Sequence, residues 1–160
     1  MRHAILIGLL LFSALVFAAP NEQKEIQELY RRALAGDKDA VNQCIEKLES
    51  ALATDSRNQL ARVYLGSSYT LRSRDLGFGP SKLRTLRQGI TLMDQAVAAA
   101  PDDPKVRLAR ALTDSALPAI FGRGSSSKRD FQLLAQIAKK NPERFDAADL
   151  QTVRAHAPAD

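Results

Sequence analysis

Cysteine occurs once in the 160 residues, at Cys44, so no internal disulfide is available and packing has to hold the fold. Histidine occurs only at His3 and His156. That scarcity excludes Ser-His and Cys-His nucleophile systems and most zinc sites, each of which needs a positioned imidazole or several thiolates. No Walker-type phosphate loop and no calcium-loop spacing is present. Charge of one sign is scarce too. The 23 Lys and Arg against 18 Asp and Glu give a formal net charge of +5, a weakly cationic surface far from a nucleic-acid-binding pattern. The carboxylate pairs that do occur, Asp102 with Asp103 and Asp146 with Asp149, read as turn, cap and first-turn charges of helices. The expectation is a protein with no catalytic residues, no cofactor, no metal and no nucleic-acid partner.

Long apolar runs are absent except for one. Ala4 to Phe17 is unbroken, follows Met1, Arg2 and His3, and is followed at once by Ala18, Ala19 and Pro20. This is the pattern of a secretory signal peptide over residues 1–18. Cleavage after Ala18 is expected, because Val16 and Ala18 then fill the two small-residue pockets and Pro20 stays off the first mature position. An uncleaved anchor is the alternative, although the run is short for about 30 Å of hydrocarbon. The mature chain, with one domain over 19–157 and a frayed tail at 158–160, is expected in the periplasm or secreted, with no transmembrane span. Cys44 shares an apolar helix face with Val41, Ile45 and Leu48 and reads as a small core residue.

The mature sequence is all-α: Ala, Leu, Arg, Lys, Gln and Glu dominate, and apolar residues recur at three- and four-residue steps. Helices are expected at 21–35, 38–53, 58–73, 81–100, 105–117, 128–140 and 146–156. The clearest carries Leu83, Leu86, Ile90, Met93, Val97 and Ala100 in one stripe. Gly36-Asp37 makes a minimal turn, and Asp103 followed by Pro104 is a strong helix start. The helices pair as antiparallel hairpins, and the last one, capped by Asp146, serves as a lid. A repeat is visible in the small residues: Ala51 precedes Gly66 by the same spacing as Ala96 precedes Ala111, which pairs Arg62 with Arg107.

Leu65-Gly66 with Tyr69 resembles the first-helix core of the tetratricopeptide repeat, and Met93, Ala96 and Pro101 fit its second helix. Leu134, Ile137 and Pro142 echo the second-helix pattern once more. Arg62 departs from the family, which favours Trp there, and Gly89 stands in place of its usual Ala. The resemblance implies a short right-handed α-solenoid of about three hairpins plus a C-terminal capping helix. It also implies an interaction module or adaptor for an envelope or periplasmic protein, with the exposed side of the first hairpin free to form a homodimer.

Two connections are expected to be long for such hairpins, 73–80 and 118–127, and each holds a Phe-Gly pair, Phe78-Gly79 and Phe121-Gly122. Both belong at one end of the stack. Arg72, Arg74, Lys82, Arg84 and Arg87 surround the first, and Arg123, Lys128 and Arg129 the second, with Asp75 and Asp130 as the chief local acids. One reading is a cationic, aromatic-lined rim in which Arg72, Arg74, Phe78, Lys82, Phe121 and Arg123 bind a partner or an anionic envelope molecule such as a phospholipid headgroup or cell-wall fragment. The other reading has the phenylalanines anchoring the loops and the arginines solvated or paired.

Overall fold

The computed structural model describes residues 20–156, with side chains from Lys24 onward. The expected signal segment 1–18 and tail 158–160 lie outside the described residues. Among these residues the chain forms α1 (Pro20–Leu34), α2 (Lys38–Thr54), α3 (Gln59–Asp75), α4 (Pro80–Ala99), α5 (Pro104–Ala116), α6 (Gly124–Lys140) and α7 (Ala147–His156). Two single 3-10 turns, Ala119–Phe121 and Pro142–Arg144, complete the order, and the described residues contain no strand. The fold is all-α. No described helix is long and apolar enough to cross a membrane.

The starts follow from capping chemistry. Asp37 Oδ1 accepts from the Ala40 amide at 2.9 Å, and Asn58 Oδ1 accepts from Ala61 at 2.9 Å. Asp103 Oδ1 accepts from Lys105 at 2.9 Å and Val106 at 3.3 Å, with Pro104 in the first turn. Asp146 takes the Asp149 amide at 2.8 Å. Each such cap satisfies an orphan helix donor and contributes about 1 kcal/mol. The exception is α4: Gly79 sits at its cap with φ +155°, no side chain bonds there, and no acid occupies the first turn.

Three apolar clusters stack along the chain. Ile26, Leu29 and Ala33 of α1 meet Val41, Cys44, Ile45 and Leu48 of α2 and Leu65 and Tyr69 of α3. Val63 of α3 joins Met93, Ala96 and Val97 of α4 and Val106 and Ala109 of α5. Leu108 and Ala111 of α5 close on Phe131 and Leu134 of α6, with Phe145 and Val153 of the last segment. Cys44 is fully buried and accepts the Ser68 hydroxyl at 3.5 Å, so it is a core residue. Consecutive helices pack as hairpins, and α3 also touches both α1 and α5, which sets α1, α3 and α5 side by side.

The paired arginines behave alike. Arg62 Nη2 donates to the carbonyl of Ser56, and Arg107 Nη2 donates to the carbonyl of Pro101, six residues back in each case. Each fastens the turn that precedes its own helix.

The connections are shorter than the sequence suggests. Arg74 and Asp75 continue α3, and Pro80 already begins α4, so only 76–79 are non-helical. In the second connection α6 begins at Gly124 rather than near Lys128. The serine run is helical because its hydroxyls are used: Ser126 and Ser127 are buried, and Ser127 Oγ donates to the Ala111 carbonyl of α5 at 2.9 Å.

Candidate functional site

The side-by-side arrangement of α1, α3 and α5 leaves a groove of about 430 Å³ along their shared face, closed at one end by the start of α7. Tyr30, Leu60, Tyr64, Ser67, Leu108 and Thr113 line its middle. The rings of Tyr30 and Tyr64 stand 4.8 Å apart at 57°. Burial pushes the Tyr64 phenol up to about 12 and raises that of Tyr30, so both stay neutral at physiological pH.

A chain of hydroxyls crosses the groove floor from α1 to α5. Tyr30 Oη lies 2.6 Å from Ser67 Oγ, Ser67 Oγ lies 2.7 Å from Thr113 Oγ1, and Thr113 donates to the Ala109 carbonyl at 2.8 Å. A hydroxyl has one proton, and a carbonyl has none. Thr113 therefore accepts from Ser67, and Ser67 accepts from Tyr30. All three protons point the same way, and what remains for a ligand is lone pairs.

The groove is electrically polar along its length. Asp146 and Asp149 line the end next to Tyr64, where burial and the Asp146 charge raise the Asp149 carboxyl above its ordinary value. Arg74 lines the other end, about 15 Å further along α3 at 1.5 Å per residue. Arg74 makes no ion pair among the described residues, whereas Arg31 on the α1 rim forks onto Glu28 at 2.6 Å and 2.9 Å.

A second depression, about 620 Å³, lies between the two connections. Phe78 and Phe121 both line it, so the two Phe-Gly segments flank a common depression. The glycine of each pair has positive φ, +155° at Gly79 and +67° at Gly122, a conformation an L side chain rarely takes. Lys82, Arg84 and Arg87 from the first turns of α4 complete the wall, and no acid joins them. Phe78 is fully exposed and anchors nothing, which overturns the loop-anchor reading for that residue.

The six residues expected to form one rim are divided. Phe78, Lys82 and Phe121 come together, Arg74 belongs to the groove, and Arg72 is exposed on α3 near Tyr69. Arg123 turns inward. It is only 17% exposed, donates Nη1 to Asp94 at 3.0 Å and Nε to Asp114 at 3.0 Å, and has no free face for a partner. Burial opposes its charge, yet the hydrogen bonds to Asp94 and Asp114 hold its pKa above the ordinary guanidinium value.

Those bonds belong to a network absent from the sequence reading. Asp130, 1% exposed, accepts Arg107 Nη1 at 2.6 Å and Arg110 Nε and Nη2 at 2.8 Å and 2.9 Å, and Arg110 reaches Asp94 at 3.1 Å. Three arginines and three aspartates thus tie α4, α5, the second connection and α6. Arg123 Nη2 lies 2.9 Å from Asp114 Oδ2, but that oxygen receives no aligned hydrogen bond. Asp94 and Asp114 carried a faint signal: Arg110 and Asp114 stand one helical turn apart on α5, and Asp94 interrupts the apolar run beside Met93.

The described residues hold no cluster of three or more metal-ligating side chains. His156 stacks on Phe131 at 4.8 Å, and its Nδ1 lies 2.9 Å from the Thr152 carbonyl, so the ring helps close the last core. No protein-family model, no curated protein and no solved structure matches the chain.

Proposed function

We propose that this protein is a non-catalytic, exported interaction module that holds an extended segment of an envelope protein along the α1–α3–α5 groove. In this reading the helices form a short right-handed solenoid of about three tetratricopeptide-like hairpins, closed by α7. The groove is the observation that carries it. Its middle is aromatic and neutral, its floor offers acceptor lone pairs suited to backbone N–H groups, and its ends are acidic and basic. A span of about 15 Å accommodates roughly five extended residues. The like-acting pair Arg62 and Arg107 supports two equivalent hairpins, and the juxtaposed helices α1, α3 and α5 support a common inner face.

The test is selection from a displayed random-peptide library against the protein and against Ala116→Trp. Ala116 is exposed and lines the groove, so an indole there fills it without entering the core. Peptides enriched by the parent and lost on Ala116→Trp, but retained on Phe78→Ala, support the groove. Equal enrichment on Ala116→Trp removes it as the binding face.

A further inference from the structure

We infer that the end of the molecule bearing Phe78 and Phe121 docks on an anionic lipid surface, independently of the groove. Two unrelated features coincide there. The first is apolar: Phe78 is fully exposed, Ile120 is 87% exposed beside Phe121 in the 3-10 turn, and Leu83 is exposed on the first turn of α4. A ring wholly outside the protein gains nothing from folding, and gains apolar burial only when it enters another phase.

The second is electrostatic. α4 begins with Lys82, Arg84 and Arg87 and has no acid in its first turn, although a helix start favours negative charge. Lys82 reaches only the Leu76 carbonyl, at 3.5 Å, and Arg84 and Arg87 make no ion pair among the described residues. By contrast Arg107, Arg110 and Arg123 are all paired with aspartates, Asp130, Asp94 or Asp114. The three tip cations and the helix start together leave a field that an anionic headgroup layer would complement.

The geometry selects a bilayer over a protein groove. Phe78 projects from a turn only four residues long and carries cations at its base rather than a ring of polar groups around it. Side chains that dominate protein interfaces sit in pockets with a surrounding rim. An aromatic tip with basic residues behind it matches an interfacial anchor, whose ring reaches the acyl boundary while Lys and Arg stay among the phosphates. Each basic residue near such a surface raises binding by roughly fivefold at physiological salt.

The chain has no tryptophan, so Phe78→Trp in the full chain places its one indole at the tip, and selectively excited tryptophan emission ignores any other membrane-binding segment. Its emission should shift to the blue on vesicles containing about one-third phosphatidylglycerol, and not on phosphatidylcholine alone. The shift should need at least tenfold more lipid after Arg84→Ala with Arg87→Ala, and weaken as salt rises. An unchanged emission on phosphatidylglycerol vesicles that sediment the protein would overturn the proposal. So would an equal shift on neutral vesicles, or a comparable shift with a soluble oligoglutamate peptide, which would assign the tip to an acidic protein.

Discussion

Gly66 and Gly89 face each other where α3 crosses α4. A Cβ on Gly66 would lie 2.6 Å from the Gly89 carbonyl oxygen, and one on Gly89 would lie 2.5 Å from the Gly66 carbonyl oxygen. Both obstacles are backbone, so neither can swing aside. This explains why position 89 holds glycine rather than alanine. With glycine on both sides, Met93 packs directly over Gly66, and the Val63–Met93–Val106 core forms beneath.

Gly66→Ala and Gly89→Ala should therefore each destabilise the protein despite a gain of about 1 kcal/mol in helix propensity. The net loss in urea melts should be about 1 to 3 kcal/mol, the range of overpacked cores. Gly77→Ala is the control, because nothing lies within 4 Å of its added methyl. Equal stability of Gly66→Ala and Gly77→Ala would mean that α3 and α4 do not cross at this point.

Arg123→Ala should cost far more than an exposed arginine does. It leaves Asp114, which is 1% exposed, with only the Ser126 hydroxyl and the charge of Arg110 to support it, and it strips Asp94 of two hydrogen bonds. Breaking one side of a buried ion pair costs about 3 to 5 kcal/mol, and the partial exposure of Asp94 puts this case at the lower end. Arg74→Ala, which removes an exposed side chain, should change stability by well under about 1 kcal/mol. Thermal and urea melts of the two variants side by side decide it, and a silent Arg123→Ala would contradict the inward placement.

What the sequence disclosed and what it withheld divide along one line. Caps and periodicity are local, so Asp37, Asn58, Asp103 and Asp146 each start a helix within about two residues of expectation. That Phe78 and Phe121 border one depression followed from hairpin logic alone. Arg123 did not, because its partners Asp94 and Asp114 come from two other helices, and only tertiary packing decides whether a guanidinium turns toward them or toward water. The hydroxyl chain was invisible for a similar reason. Ser67 and Thr113 add nothing to an apolar stripe, and their value appears only when α3 and α5 lie side by side.

The pH dependence of Arg123→Ala follows from Asp114. Burial raises its carboxyl above the ordinary 3.8, while hydrogen bonding and charge from Arg123 pull the other way. Removing Arg123 leaves burial opposed only by the Ser126 hydrogen bond and the charge of Arg110, so the carboxyl rises further. A carboxyl with a raised folded pKa holds its proton in the folded state where the unfolded chain has released it, so stability falls as pH rises through that folded value. The melting-temperature deficit of Arg123→Ala relative to the parent should therefore shrink as pH is lowered from 7 toward 5. Asp114→Asn in the same background should recover part of the loss at pH 7 and flatten the dependence. A deficit that widened on acidification would point to a carboxylate other than Asp114.

The direction of the hydroxyl chain makes an asymmetric prediction about its two ends. Tyr30→Phe removes the first donor, and Ser67 merely loses an accepted bond while keeping its own to Thr113. The cost should be at most about 1 kcal/mol, that of one ordinary hydrogen bond. Thr113→Val is nearly isosteric but deletes the acceptor that Ser67 needs. Ser67 is 1% exposed, so its proton is stranded away from water, and an unsatisfied buried donor costs about 1 to 3 kcal/mol. Thr113→Val should thus be the more damaging, and Ser67→Ala added to it should restore part of the stability by removing the stranded donor. If the protons ran the other way, from Ser67 to Tyr30, Tyr30→Phe would strand the serine instead and the order of the two single variants would reverse. Urea melts of the four proteins distinguish the two directions, and with them whether the groove floor offers a partner lone pairs or protons.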